Sequence, residues 1–197
     1  VPTFAHCLTT EGFVRCMDGG VDCIEHIACF IRNRENGLLE RMYRPEIMSR
    51  YTGRKRWFMM GLSAGYHNLD DFRSGKRPCG ANETFWLEQE ERMFAIFRRV
   101  TELGLLPVCG TDAGTGGTRF DETWLELALM VRRGGLSEKE AIHIGTLQSA
   151  ACLGLENQTG AIREGLSADL MTLEEDPFTH IEALAHPAQV ICRGELV

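Results

Sequence analysis

Three residues of this chain are of the types that bind a cation or move a proton, and each closes a short apolar run. His6 follows Val1 to Ala5, His26 follows Val21-Asp22-Cys23-Ile24-Glu25, and Asp112 follows Leu105 to Cys109 and the pair Gly110-Thr111. Neutral imidazole nitrogens and a carboxylate are ligands for a borderline cation such as zinc, and a catalytic site of that kind leaves one position open for water. Water at such a site loses its proton near neutral pH, and a neighbouring carboxylate can take that proton and pass it to a leaving group. Asp112 suits the second task. Taken singly, each of the three is equally well a polar residue at a strand end or the cap of a turn. Their spacing is far too long to be a metal motif in the manner of a helix-borne HExxH. Their shared position, at the ends of separate runs, raises the set above its members.

The elements that must position these residues alternate. Val1 to Ala5 and Val21 to Ile24 are strand-like, and between them Thr9 is placed to cap a helix that runs to about Met17 and stops at Gly19-Gly20. A helical stretch is expected around Leu38 to Tyr51, then a third strand at Trp57 to Met60, then a polar loop from Ser63 to about Asn82. Met93, Phe94, Ile96, Phe97, Val100 and Leu103 recur at helical spacing, and Gly104 suits the left-handed turn that ends such a helix. Leu105 to Cys109 is a fourth strand. Two more helices follow: one spans about Asp121 to Arg133, and the other is opened by the reciprocal cap of Ser137 and Glu140. Beyond Gly154, short strands at Asp169 to Leu173 and Gln189 to Cys192 indicate a small β segment. Parallel strands alternating with helices imply a doubly wound sheet or a (β/α) barrel. In a barrel the C-terminal strand ends converge on one rim, where His6, His26 and Asp112 would meet.

Composition narrows the classes. A chain of 197 residues with 44% hydrophobic and 25% charged residues has the profile of a soluble globular protein. A net charge of −7 gives no basic field to gather phosphates, and the one dense cationic run is Arg50 with Arg54-Lys55-Arg56, so nucleic acid is not expected as a partner. No apolar run approaches the ~20 residues that span a bilayer, and no signal peptide is visible. The 8 cysteines are dispersed and form no CxxC pair, which predicts reduced thiols and a cytoplasmic setting.

Three stretches, in this order, carry a resemblance: Gly20-Val21-Asp22-Cys23-Ile24-Glu25-His26, Leu106-Pro107-Val108-Cys109-Gly110-Thr111-Asp112-Ala113-Gly114, and Gly160-Ala161-Ile162-Arg163-Glu164-Gly165-Leu166-Ser167-Ala168-Asp169-Leu170. The chain resembles the amidohydrolase superfamily, in its branch of imidazolonepropionase-like and prolidase-like enzymes, over nearly its whole length. The resemblance implies an α/β fold: the C-terminal half of a (β/α)8 TIM-like barrel over residues 1–154, followed by returning strands of a small β-sandwich over 155–197. It implies that His6 and His26 ligate a divalent metal, zinc before others, with one or two ions in the complete protein. It also implies that Asp112 both approaches metal and shuttles the proton. The reaction implied is hydrolysis of an amide, lactam or related C–N bond in a small-molecule substrate. Asp169 is then structural.

One departure from the family pattern concerns the first and fourth strands, which there carry an HxH pair and a metal-bridging lysine or glutamate. Neither is present, so the chain reads as a piece that begins at about the fifth strand. From this follow three expectations: weak metal binding by the piece alone, pairing with a missing N-terminal half, or self-association into a homo-oligomer through its open strand edges. His67 and Arg119, on the loops after the third strand and after Asp112, are candidate substrate contacts. A second reading makes the chain an inactive barrel remnant that serves as a binding or scaffold protein. A third, a phosphate-cradling loop at Gly110 to Gly117, lacks the GKS or GKT ending and has no lysine nearby.

Overall fold

The computed structural model describes all 197 residues. Strand β1 (Phe4–His6) leads into helix α1 (Thr10–Gly19). The Thr9 hydroxyl accepts a hydrogen bond from the Gly12 amide, Phe13 and Met17 are buried one turn apart, and Gly20 ends the helix at φ 75°. Strand β2 (Cys23–Glu25) follows and pairs in parallel with β1, placing His6 opposite Glu25.

The segment after β2 differs from the expected helix at 38–51. Phe30–Arg32 (β3) and Leu39–Arg41 (β4) form an antiparallel hairpin, and only Pro45–Met48 (α2) and a turn of 3-10 helix at Ser49–Tyr51 are helical. The turn chemistry overrides the helical spacing. Asn33 and Asn36 side chains accept from the amides of Glu35 and Leu38, and Gly37 takes φ 75°, a conformation that costs glycine nothing. The Asn36-Gly37 pair was the available signal for a hairpin.

Strand β5 (Trp57–Met59) joins β2 in parallel. The stretch expected as a polar loop holds a 3-10 turn at Tyr66–Leu69 and the short helix α3 (Asp70–Arg73). Helix α4 (Ala81–Glu102) begins where Glu83 accepts from the Gly80 amide, buries Met93, Phe94, Ile96, Phe97 and Val100, and gives way to Gly104 at φ 92°. Strand β6 (Leu106–Pro107) completes a parallel sheet of order β1-β2-β5-β6. Helix α5 (Thr123–Arg132) and helix α6 (Glu138–His143), which has the reciprocal Ser137–Glu140 cap, pack beside it; a π-helical turn then leads to α7 (Ser149–Cys152). The chain ends in a separate antiparallel sheet of β7 (Leu170–Thr172), β8 (Gln189–Cys192) and β9 (Glu195–Leu196).

The core lies between the parallel sheet and α1, α4 and α5, with Phe13, Ile24, Phe58, Phe94, Phe97 and Leu129 fully buried. All eight cysteines are free, as expected. Asp169 accepts from the Thr159 hydroxyl and the Arg193 amide, which hold its carboxyl below the usual range and tie the small sheet together. No helix is long and apolar enough to cross a membrane.

Candidate active site

Parallel pairing puts the ends of β1 and β2 side by side, and the chain immediately beyond them is cross-tied. The Cys7 amide donates to Glu25 at 3.0 Å, the Ala28 amide to Cys7 at 3.3 Å, and the His26 amide to Met59 at 2.6 Å. His6 and His26 consequently face each other, ring centroids 4.8 Å apart and planes at 75°. Their ring nitrogens form no hydrogen bond or ion pair within the protein, so both can accept a ligand.

Backbone strain concentrates here. Of the five non-glycine residues with positive φ, three follow β2 directly (His26 at 71°, Ile27 at 41°, Cys29 at 51°) and a fourth is Asp112 at 56°. Each such residue costs on the order of 1 kcal/mol or more, a cost found where a fold holds functional groups in set directions. Two glycines border the area, Gly61 at φ 65° and Gly110. A Cβ on Gly61 would stand 3.8 Å from His26 Nδ1, and one on Gly110 would meet Met59 Cγ at 2.6 Å. The end of β6 can therefore lie against β5 only with glycine at 110.

Asp112 is set by the turn after β6. The Cys109 amide donates to Ser149 Oγ at 3.0 Å, and the Thr115 amide and hydroxyl both donate to the Asp112 carbonyl. Its carboxylate is exposed and accepts no hydrogen bond from the protein. The structure joins His6 to His26 and places Asp112 in the loop beyond β6, with β5 between that strand and the histidine-bearing pair, and no group of three His, Cys, Asp or Glu side chains converges on one point. The histidine pair offers two unengaged imidazoles side by side, donors of the kind a cation site takes.

The loops after β5 and β6 are stapled into one rim. The Gly65 amide donates to Thr118 Oγ1 at 3.0 Å, and a Cβ at Gly117 would overlap Asn68 at 2.4 Å. His67 closes the staple: Nδ1 lies 2.6 Å from Asp70 Oδ2 and Nε2 2.9 Å from Glu122 Oε2. Those carboxylates, Asp70 first, raise its pKa and favour the imidazolium. Arg119 is exposed on the same rim in a two-pronged pair with Asp121, at 3.1 and 2.8 Å.

One group escaped sequence reasoning. Glu126 on α5 is fully buried, and its two carboxylate oxygens accept from the Leu62 and Ser63 amides, each at 2.8 Å. Burial pushes its pKa up to about 7, against the opposing pull of those two amides. A glutamate amid Leu125, Leu127, Ala128, Leu129 and Met130 was the signal, since an ionisable residue inside a helix buried nearly all round requires a partner.

Comparison with known proteins decides the family. The model of the amidohydrolase family matches residues 1–197. The chain belongs to the amidohydrolase family. It is similar to the ochratoxinase of Aspergillus niger, 35% identical over 95 residues (48% of this chain, 19% of that protein). It is likewise similar to the imidazolonepropionase of Kosmotoga olearia, 32% identical over 98 residues (50% of this chain, 23% of that protein). Among solved structures, a prolidase-like protein from Bifidobacterium longum superposes on the whole chain with a TM-score of 0.74 and 30% identity, and the match covers 47% of that protein. This amidohydrolase chain thus spans about half the length of that structural neighbour, and its segments matched to the two curated relatives cover a quarter or less of theirs.

Proposed function

We propose that the chain is part of a metal-dependent hydrolase that cleaves an amide or related C–N bond. The observation that carries the reading is the pair of unengaged imidazoles, His6 and His26, at neighbouring parallel strand ends 4.8 Å apart. Family membership and the relatives named ochratoxinase and imidazolonepropionase support the reaction class. The whole-chain likeness to the prolidase-like neighbour supports reading residues 1–154 as half of a barrel and the terminal sheet as part of a sandwich.

In this reading His6 and His26 hold a divalent cation, zinc first among the cations that accept imidazole. Such a cation supplies a polarised carbonyl and a water of lowered pKa when bound. Asp112 accepts the proton that the attacking water gives up and returns it to the leaving nitrogen, so an amide and water become a carboxylate and an amine. Its exposed, unpaired carboxylate is free to do both. Arg119, and His67 on release of one of its carboxylates, meet the outer part of the substrate. Further ligands come from a companion segment or a second copy of the chain, which also covers the open edges at β1 and β6.

The test is hydrolysis by the natively expressed protein, loaded with zinc or manganese, of a panel of N-acyl amino acids, Xaa-Pro dipeptides and small lactams. Turnover of any member that a chelator abolishes and added metal restores is the expected result. Folded, metal-loaded protein inert toward the whole panel would favour the scaffold reading.

A further inference from the structure

A cavity of about 480 Å³ opens next to the loop that follows β5. Its lining includes Leu62, Trp86, Phe72, Met93, Arg41 and Gln89, from the β5 loop, β4, α3 and α4. Two of these have unmet polar demands. Arg41 forms no ion pair: its Nη1 donates to the Ala28 carbonyl at 3.3 Å, and its guanidinium lies over the Phe30 ring at 4.6 Å. Gln89 is 3% exposed; its Oε1 accepts from the Arg41 amide at 2.6 Å, while Nε2 has no partner. The amide cannot be turned over to repair this, because Nε2 would then face the Arg41 N–H, donor against donor.

A cation without a counter-charge and a buried donor without an acceptor are each costly, and here both line one cavity, whose two carboxylates are engaged elsewhere, Glu83 by the Gly80 amide and Glu90 by Arg73. The partner that satisfies the two together is an anion with two acceptor oxygens. The guanidinium fork matches a carboxylate, and the apolar walls of Trp86 and Phe72 match a carbon body attached to it. Desolvation lowers the Arg41 pKa to about 10, consistent with a guanidinium that no carboxylate compensates.

We infer that this cavity is a subsite for an organic carboxylate with an apolar or aromatic body, read by Arg41 and Gln89. Its wall at Leu62 is next in the chain to Gly61, which borders His26. A carboxylate bound there would touch the same β5 loop that borders the histidine pair. Its role as a subsite rests on the hydrolase reading; binding to the cavity does not.

The test is a direct binding measurement on the natively expressed, metal-free protein. The probes are N-acetyl-L-phenylalanine and its uncharged amide, followed by calorimetry and by Trp86 fluorescence against a Trp86→Phe control. The carboxylate is expected to bind on the order of tenfold or more tighter than the amide. Arg41→Met should erase that preference. Gln89→Glu keeps the acceptor for the Arg41 amide but sets a second oxygen where the ligand's would lie. It should leave the melting curve intact and abolish carboxylate binding. Asp112→Asn should bind as the parent does, which separates this subsite from the chemistry. Equal affinity for acid and amide, no binding of either, or undiminished preference in folded Gln89→Glu would overturn the inference, whatever the hydrolysis panel shows.

Discussion

Two histidine environments in this molecule differ in what their nitrogens touch. His6 and His26 stand 4.8 Å apart with no hydrogen bond to the protein, on backbone that at His26 is forced to φ 71°. His67 has ordinary backbone and both nitrogens engaged, by Asp70 and Glu122. An imidazole with a carboxylate on each side has both nitrogens engaged and its charged form favoured, and it staples one loop to the next. An imidazole with no protein partner, in strained backbone beside a second one, is ready for a ligand. The same residue type serves as clip in one place and is left without a protein partner in the other, and the neighbouring carboxylates make the difference.

The largest effect that sharpens this contrast is expected at Asp112. Asp112→Asn should lower kcat by about 10²- to 10⁴-fold with an unchanged melting temperature, since its carboxylate holds nothing in the fold. Equal loss of stability and turnover would instead make it a structural group.

Next is the buried carboxylate behind the clip. Glu126→Ala leaves the Leu62 and Ser63 amides without acceptors and should cost roughly 2–4 kcal/mol in chemical denaturation, loosening the loop that carries His67. The ionisation of Glu126 also sets a pH dependence. Its folded pKa, about 7, lies above the ordinary 4.5, so the native state binds the extra proton between these values. The stability this contributes is complete below the lower value and is lost as pH rises through the upper one. The loss is up to about 3 kcal/mol, and denaturation midpoints measured from pH 4 to 8 should show a fall that Glu126→Gln flattens.

The smallest effect belongs to the clip. His67→Gln should cost below about 1 kcal/mol, because the His67 and Asp70 side chains are solvated, 37% and 45% exposed. The sign follows from the raised pKa: the clip is complete below the ordinary histidine value and weakens as pH climbs through the raised one, so the difference between parent and His67→Gln should shrink in alkali.

The alternation of parallel strands and helices was legible in the sequence because β1, β2, β5 and β6 are short apolar runs, each ending at a polar or glycine-rich turn. Helix ends were legible at Thr9, Gly20, Gly104 and Ser137, where capping is a local matter. The hairpin at Phe30 to Arg41 was not, because Leu38, Leu39 and Met42 mimic helical spacing and the Asn33 and Asn36 turns outweigh it. In the candidate site, the facing pair His6 and His26 could be named from their places at strand ends, whereas Asp112 lies in the loop beyond β6, which ends at Pro107. The double engagement of His67, the Glu126 clamp and the Arg41–Gln89 contact could not. These join residues 55, 64 and 48 positions apart, and nothing local marks such pairs.

The most direct measurement is metal content by elemental analysis of the natively expressed protein, purified in parallel as parent, His6→Asn with His26→Asn, and His67→Asn. The double variant should lose its bound divalent cation while keeping its fold, and His67→Asn should retain the parent's stoichiometry. Full metal in the double variant, or metal lost on changing His67 alone, would contradict the division of roles between the two environments.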